Sequence, residues 1–535
     1  YDCRNYASNS NSDILKTNKF TNSSAGGYSF LDRIYSRDSM TKKKVGQPHK
    51  ALVHIKFNMP VKIDGTASLD EKLISTCVGV VVDVKLGLVV CERYQVPTTL
   101  GDALVTFEGA YLTTASVIFV HPFHLFSILQ YDPRAVDESI VSELKLNPVP
   151  VSIGEVVDYF GLSMKQSRSM YLGAIVGSSE SVHIKTSPDA KEKFIPRNFE
   201  YFVGTQNVSG LGGVFLDPND HSIRGFNFHF FRIDITSGLQ ASAVFPFLEQ
   251  IQVSLLSGKT NPVSQMKTLG IHLDFLPLAD VIHALGMNME WTAKMIESMD
   301  QYHRTVMVIS QKLACVTQLY EHDVILSING ESVARISEYH RLVNNQDFVT
   351  ITVLRNGNVT EIKNVPTQLF STLGTTRVAF CCGMVCQEVT LAIQFALGSE
   401  AKNGVYISSV FPGSPAKEAY VKTTGGLIIK EVNGDPVEDL DCLLDKVSTI
   451  KSGKNLRFKT LDIQDGNIST FSVQLDLQFW PIREMVRSPS TGEWSLNDIS
   501  AFVGENSEGN VKNNVSEEAE GTWKRISNYV GSFRT

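Results

Sequence analysis

The residues with chemistry to offer are few and spaced far apart. The stretch "NVSGLGGVFLD" (207–217) has the glycine-rich form of a loop that presents a nucleophile beside backbone N–H donors. Acyl transfer there needs a nucleophilic atom, a base with a pKa near the working pH, and a charged group to orient that base. The position where such a loop places its nucleophile holds Leu211, and Val214 stands where a proline is usual. Ser209 lies two residues upstream, and His121 and His124 precede it in the chain. A rebuilt serine–histidine pair would need an approach of about 2.6–3.2 Å. Cys381, Cys382 and Cys386 also cluster, but no CxxC or second ligand pair accompanies them. They read as small buried hydrophobes and not as a zinc site. No motif asks for a cofactor.

Elements that would position these residues can be read from the pattern. Residues 1–45 are rich in Asn, Ser, Thr and Lys and read as a linker with at most a short helix near "SFLDRIY". From about 50 to 255, short β-rich runs such as "ALVHIKF", "VGVVVDV" and "GLVVCERY" are punctuated by Gly, Pro and Asp at roughly ten-residue intervals. The same texture runs on through "GGVFLD", "IRGFNFHFF" and "SAVFPFLEQI". This predicts one large β unit or two small barrels. Beyond "SGKTNP" a repeat appears. "HDVILSINGESVARISEYHRLV" matches "GGLIIKEVNGDPVEDLDCLLDKV", with Gly330 and Gly434 104 residues apart. Each copy predicts strand, Asn-Gly turn, strand and amphipathic helix. The last 50 residues or so thin into a polar, acidic stretch, expected to be a loosely ordered tail.

Composition narrows the class of function. The 535 residues suggest roughly three to five domains. The chain is 43% hydrophobic and 20% charged with net charge −7, which argues against a dominant nucleic-acid or anionic-membrane surface. Eight cysteines without dense even spacing point to a reducing compartment. No apolar run reaches the roughly 18 residues of a membrane span. The Lys42-Lys43-Lys44 run reads as a solvated linker. The chain opens at Tyr1, and we expect it to be a piece of something larger.

The repeat carries a family resemblance. "GVYISSVFPGSPAKEA…GGLIIKEVNGDPVEDLDCLL" resembles a PDZ domain of the HtrA (high-temperature-requirement A) type, and "LGIHL" followed by "VILSINGESV" resembles a more diverged one. HtrA proteins place PDZ domains after a chymotrypsin-like protease domain, so the resemblance says where a triad should lie. "GLVVCERYQV" puts Tyr94 at the histidine, "HPFHLFSILQYDP" puts Leu125 at the aspartate, and the 207–217 loop puts Leu211 at the serine. The separations, 31 and 86 residues, are of the family's order. The likeness covers about 50–480, and the chain looks like the second, degenerate half of the fungal tandem HtrA-like nuclear serine proteases, the pro-apoptotic serine protease family, which carry two protease-like and four PDZ domains. It implies a mostly β fold: a linker at 1–45, a chymotrypsin-like double β-barrel at 46–260, PDZ domains at 261–366 and 367–482, and a tail at 483–535.

The function that this resemblance implies turns on those three positions. Tyrosine, at about 10, is protonated at pH 7 and is a poor base. Leu125 carries no charge, and Leu211 has no nucleophilic atom. Losing nucleophile or base alone costs on the order of 10⁶ in rate. The chain is therefore expected to be the non-catalytic, regulatory half of a serine protease whose active domain lies elsewhere in the parent. The alternatives are a stand-alone PDZ adaptor and, more remotely, a hydrolase with a relocated site. A leucine in the old cleft can bury about 1.5–3 kcal/mol of apolar surface, so the cleft is expected to be filled. The expected partners are peptides or protein C-termini held on a PDZ groove strand and its backbone nest. The nest would be Leu269, Gly270 and Ile271 in the first module, and Cys382, Gly383, Met384 and Val385 in the second. The other partner is the catalytic half, with homo-oligomerisation left open. No nucleic acid and no membrane are expected. The resemblance implies a nuclear setting, with the cytoplasm as the alternative.

Overall fold

The computed structural model describes residues 48–63, 73–121, 124–162, 169–180, 201–204, 212–228, 237–258, 266–299, 304–344, 346–371, 373–390, 393–395, 403–422, 426–463 and 465–499. The chain divides into compact units at Tyr1–Val45 and Gly46–Thr535, and all described residues belong to the second. The linker expected at 1–45, and its short helix, lie outside them.

Alternation in the β-rich runs does what a half-buried strand requires. In β1 (Leu52–Asn58), Val53, Ile55 and Phe57 are buried while Lys56 is exposed. It is joined by β2 (Ile74–Asp83), β3 (Leu88–Glu92), β4 (Asp102–Phe107), β5 (Tyr111–Val120) and β6 (Phe126–Tyr131). They close into a barrel in the order β1-β2-β3-β6-β5-β4. A second barrel repeats that path: β7 (Val156–Leu162), β8 (Ser169–Glu180), β9 (Tyr201–Gly204), β10 (Gly212–Leu216), β11 (Ile223–Asn227) and β12 (Ser237–Gln240). Its order is β7-β8-β9-β12-β11-β10. Inside the first barrel Val53, Ile55, Phe57, Val89, Phe107 and Tyr131 pack together. Inside the second, Phe215 lies 5.3 Å from the ring of Tyr159 and 4.9 Å from that of Phe202.

One expectation fails at the end of the β region. The run read as continuing strand at "SAVFPFLEQI" is the helix α1 (Ala241–Leu256). Its buried residues Ala241, Val244, Phe247, Leu248 and Ile251 recur every three or four positions, a helical spacing that short apolar runs hide. This helix lies in the seam between the barrels. Val80, Val90, Phe119 and Phe126 of the first barrel, Val214, Leu216, Phe226 and Leu239 of the second, and Val244, Phe247 and Ile251 of α1 form a single buried cluster.

Two more sheets complete the described chain. The first contains β14 (Ile271–Pro277), β15 (Thr305–Lys312), β16 (Val324–Ile328), β18 (Phe348–Arg355) and β19 (Asn358–Pro366) in that order, with β17 (Glu331–Ser332) turned back on β16. A separate pair joins β13 (Met266–Thr268) to β20 (Gln368–Phe370), so this module's pairing runs past the boundary expected at 366. Helices α2 (Leu278–Leu285), α3 (Met289–Ser298) and α4 (Ile336–Val343) accompany it. The second sheet uses β21 (Arg377–Cys381), β22 (Met384–Glu388), β23 (Val405–Val410), β24 (Leu427–Val432), β26 (Asn455–Asp462), β27 (Ile468–Gln474), β28 (Arg483–Arg487) and β29 (Trp494–Asp498), with β25 (Asp435–Pro436) on β24. Its order is β27-β26-β24-β23-β22-β21-β28-β29, with α5 (Pro415–Glu418) and α6 (Leu440–Ser448) alongside. Both Asn-Gly turns form: Asn329 and Gly330 have φ 51° and 84°, Asn433 and Gly434 54° and 95°. That is the two-residue hairpin geometry such a pair favours.

The tail expected at 483–535 is corrected in its first part, while 500–535 lie outside the described residues. Residues 483–498 form β28 and β29, because β28 pairs with β21 and β29 with β28. The Trp494 indole N–H donates to the Thr99 carbonyl at 3.0 Å, and Leu496 packs near Val61, Ile63 and Leu100 of the first barrel's loops. Polar composition concealed these strands because each buries only one face.

Truncating Phe215 in the second barrel's core should cost about 3–5 kcal/mol, since the cavity left between Tyr159 and Phe202 cannot close. Urea unfolding of Phe215→Ala should show the lowered midpoint, and an unchanged one would mean this barrel does not contribute to the cooperative unit.

Candidate functional site

Strand pairing brings two of the three sequence-predicted triad positions together. Tyr94 lies two residues past the end of β3, and Leu125 immediately precedes β6. The strands pair with Glu92 opposite Phe126, and beyond that rung the Arg93 N–H donates to the Leu125 carbonyl at 3.2 Å. Both positions therefore sit at one rim of the first barrel, 31 residues apart in sequence. Tyr94 is half-buried with its hydroxyl sheltered, and Leu125 is 2% exposed. Leu211 and Ser209 lie outside the described residues. The next residue, Gly212, opens β10, and a Cβ built on it would lie 3.7 Å from Val78 of the first barrel. The loop thus ends at the seam. Neither described position offers a base or a carboxylate.

His121 and His124 do not face an open cleft. They are 0% and 1% exposed and pack against Phe126, with His121 also beside Phe119 and Phe247. The His124 backbone N–H donates to His121 Nδ1 at 2.8 Å, so that nitrogen carries no proton. The third member is His340 of α4, whose ring centroid lies 5.9 Å from that of His121 and 5.6 Å from that of His124. All three rings have a nitrogen within 4.8 Å of the others. Burial first, then the neighbouring His124, His340 and Arg93, hold His121 well below the ordinary histidine range. Burial and His124 do the same to His340. Sequence reading singled out the first two as possible partners for a serine and missed the third. Nothing in "SEYHRLV" marks it, because the grouping spans 219 positions of the chain.

The two expected peptide nests differ. In the first, the Leu269 N–H donates to the Tyr339 hydroxyl of α4 at 3.2 Å and the Gly270 N–H to Thr268 Oγ1 at 3.4 Å. The amides a carboxylate would use are already engaged, though at long distances. Gly270 has φ 66°, and a Cβ there would meet Val316 and Gln368 at 3.1–3.2 Å, so a larger residue would be strained. Beyond it, Ile271 opens β14, which among the described residues pairs with β15 alone and keeps its other edge unpaired. Ile271 and Leu273 share a buried cluster with Tyr339, Leu342 and Val343 of α4, and Phe395 from far along the chain joins it.

In the second, Cys382 and Gly383 form a two-residue hairpin turn with φ 54° and 80°. Their carbonyls accept from the Ala416 and Phe411 N–H groups. Met384 and Val385 begin β22, an interior strand paired on one side with β21 and on the other with β23. The chain's own strand occupies the edge a peptide would need, and Val385 is buried against Val61, Ile63 and Leu100. Geometry corrects this part of the expected binding set: Cys382, Gly383, Met384 and Val385 offer no free edge to an added strand. Cys381, Cys382 and Cys386 all belong to the core of that sheet.

No protein-family model matches the chain. It is similar to pro-apoptotic serine protease NMA111 of Coccidioides immitis, 26% identical over 461 residues, covering 82% of this chain and 42% of that protein. The protein of the same name from Yarrowia lipolytica is 25% identical over 462 residues, covering 83% and 44%. That from Neosartorya fischeri is 24% identical over 472 residues, covering 85% and 44%. The chain therefore spans less than half the length of these relatives. Among solved structures, an HtrA-type protease AlgW with tripeptide aligns with 60% of this chain and 94% of its own, at 14% identity and TM-score 0.40. A serine endoprotease from Yersinia pestis aligns with 61% and 96%, at 12% identity and TM-score 0.36.

The buried histidines set a pH dependence. His121 and His340 have depressed pKa values in the fold, while the unfolded chain returns them to about 6.5. Above that pH neither state binds the proton, and stability is full. As pH falls below about 6.5 the unfolded state takes up protons that the folded state refuses, and stability drops by about 1.4 kcal/mol per pH unit for each histidine. Urea unfolding between pH 7.5 and 5.5 should show this fall, and His340→Phe should make it shallower. An equal slope in the variant would show that His340 does not carry it.

Proposed function

We propose that this chain is a non-catalytic, regulatory part of an HtrA-type serine protease, built as a degenerate double-barrel protease domain followed by two PDZ-like modules. The observation that carries the reading is the rim of the first barrel. Tyr94 follows β3 and Leu125 precedes β6 at that rim, and neither supplies the ionisable base or the carboxylate that a working triad needs. The similarity to serine proteases more than twice as long supports placing catalysis in another part of the parent. The tandem arrangement, the second-half position, the nuclear setting and the loss of the third triad residue at Leu211 belong to this proposal. So do domain limits near 46–260, 261–370 and 375–499.

Catalytic silence is directly testable. The chain should neither hydrolyse labelled casein nor react with a fluorophosphonate probe. Labelling that disappears in Ser209→Ala would replace this reading with a relocated site.

Peptide binding, within this proposal, belongs to the first module, where β14, beside the Leu269–Gly270 turn, has β15 as its one strand partner among the described residues. A peptide with a hydrophobic C-terminus should add there with a Kd of roughly micromolar order, about −8 kcal/mol. Tyr339→Phe frees the Leu269 amide from the hydroxyl that now accepts its bond, and should tighten binding severalfold. Fluorescence polarisation on the full chain would measure both. Absence of saturation below millimolar peptide, in wild type and variant alike, would assign the module an architectural role.

A further inference from the structure

We propose that His121, His124 and His340 form a binding site for a zinc-class divalent cation, which fastens the first barrel to the sheet that comes after it. Three imidazoles come from two separate parts of the fold. His121 and His124 lie between β5 and β6, and His340 lies on α4. Their ring centroids are 4.6, 5.6 and 5.9 Å apart. Three imidazoles on one tetrahedral zinc, with Zn–N of about 2.0–2.1 Å, hold their centroids about 5 Å apart. The nitrogens, now within 4.8 Å of one another, would close by about 1–2 Å to ligate, well within the reach of side-chain rotation.

The surroundings suit a nitrogen-ligand metal. All three residues are buried, at 0%, 1% and 6% exposure. Phe126 and Phe247 wall the group, with Phe119 beside His121 and Tyr339 beside His340. Neutral imidazole is the ligating form, and a low-polarity shell keeps it neutral. A set of imidazoles alone favours zinc, copper or nickel over calcium or magnesium, which take oxygen ligands. Three protein ligands leave a fourth position for water.

Two features oppose binding. Arg93, whose guanidinium donates to the His121 carbonyl, puts a positive charge near the site. His121 Nδ1 accepts from the His124 amide, so ligation through Nε2 moves the ring proton to Nδ1 and gives up that bond. Three coordinate bonds in a dry pocket outweigh one such hydrogen bond, and the guanidinium is already held by a carbonyl.

The test uses the full chain, stripped with chelator, reloaded with Zn²⁺, desalted and assayed by elemental analysis. One equivalent of zinc should be retained and should raise the melting temperature. His340→Phe, which keeps ring volume and apolar contacts, should weaken zinc binding at least tenfold with an unchanged circular dichroism spectrum. Co²⁺ in the wild-type chain gives a readout that needs no variant: visible d–d bands without thiolate charge transfer are expected. No retained metal in the wild type, or equal binding by a folded His340→Phe, would overturn the proposal. Thiolate-to-cobalt charge transfer would place the metal on the buried cysteines and overturn it equally.

Discussion

Burial of one apolar seam organises this protein. Each barrel closes on its own interior, but the outward faces of β2, β3, β5 and β6 in the first, and of β10, β11 and β12 in the second, are also apolar. Neither barrel could leave such a surface in water. The two press together, and α1 lies along the join with Val244, Phe247 and Ile251 turned into it. Every candidate site residue of the barrels that the structure describes lies at or near this seam. Leu125 is next in the chain to Phe126 of this seam, Gly212 enters it beside Val78, and His121 packs on Phe247.

That constraint explains why an apolar side chain suits the position of Leu125. A charged carboxylate at a buried position carries a desolvation cost that only a partner can offset. Leu125, at 2% exposure, has no such requirement and adds apolar area instead. Its backbone carbonyl still accepts the Arg93 bond that ties β3 to β6. This rim is thus held by main-chain hydrogen bonds and packing, which do not depend on the chemistry of its side chains.

The two sheets after the barrels share a strand–turn–strand–helix unit and differ at one edge. In the first, β13 leaves the sheet to pair with β20, so β14 keeps one edge unpaired among the described residues. In the second, the corresponding turn at Cys382 and Gly383 is a tight hairpin, which forces β21 back along β22. Arg377 on β21 then bridges to Asp441 of α6 and Glu484 of β28. A strand already paired by its own chain has no amides left for a ligand.

The sequence by itself determined much of this. Period-two alternation and regular punctuation specify the strands of both barrels, and the paired Asn-Gly turns specify the repeated unit, because these signals are local and set by backbone conformation. The spacing of Tyr94, Leu125 and Leu211 was readable only through a resemblance, and the first two lie just outside the ends of the neighbouring strands β3 and β6. Local pattern misread α1, whose spacing is helical but whose composition is β-like, and the final strands, whose polar faces look like a tail. The grouping of His121 and His124 with His340, the closure of β22 and the position of β14 at the edge of its sheet among the described residues were decided by tertiary structure alone. They depend on contacts between residues up to hundreds of positions apart, and no local spacing encodes which distant element will cover a given face.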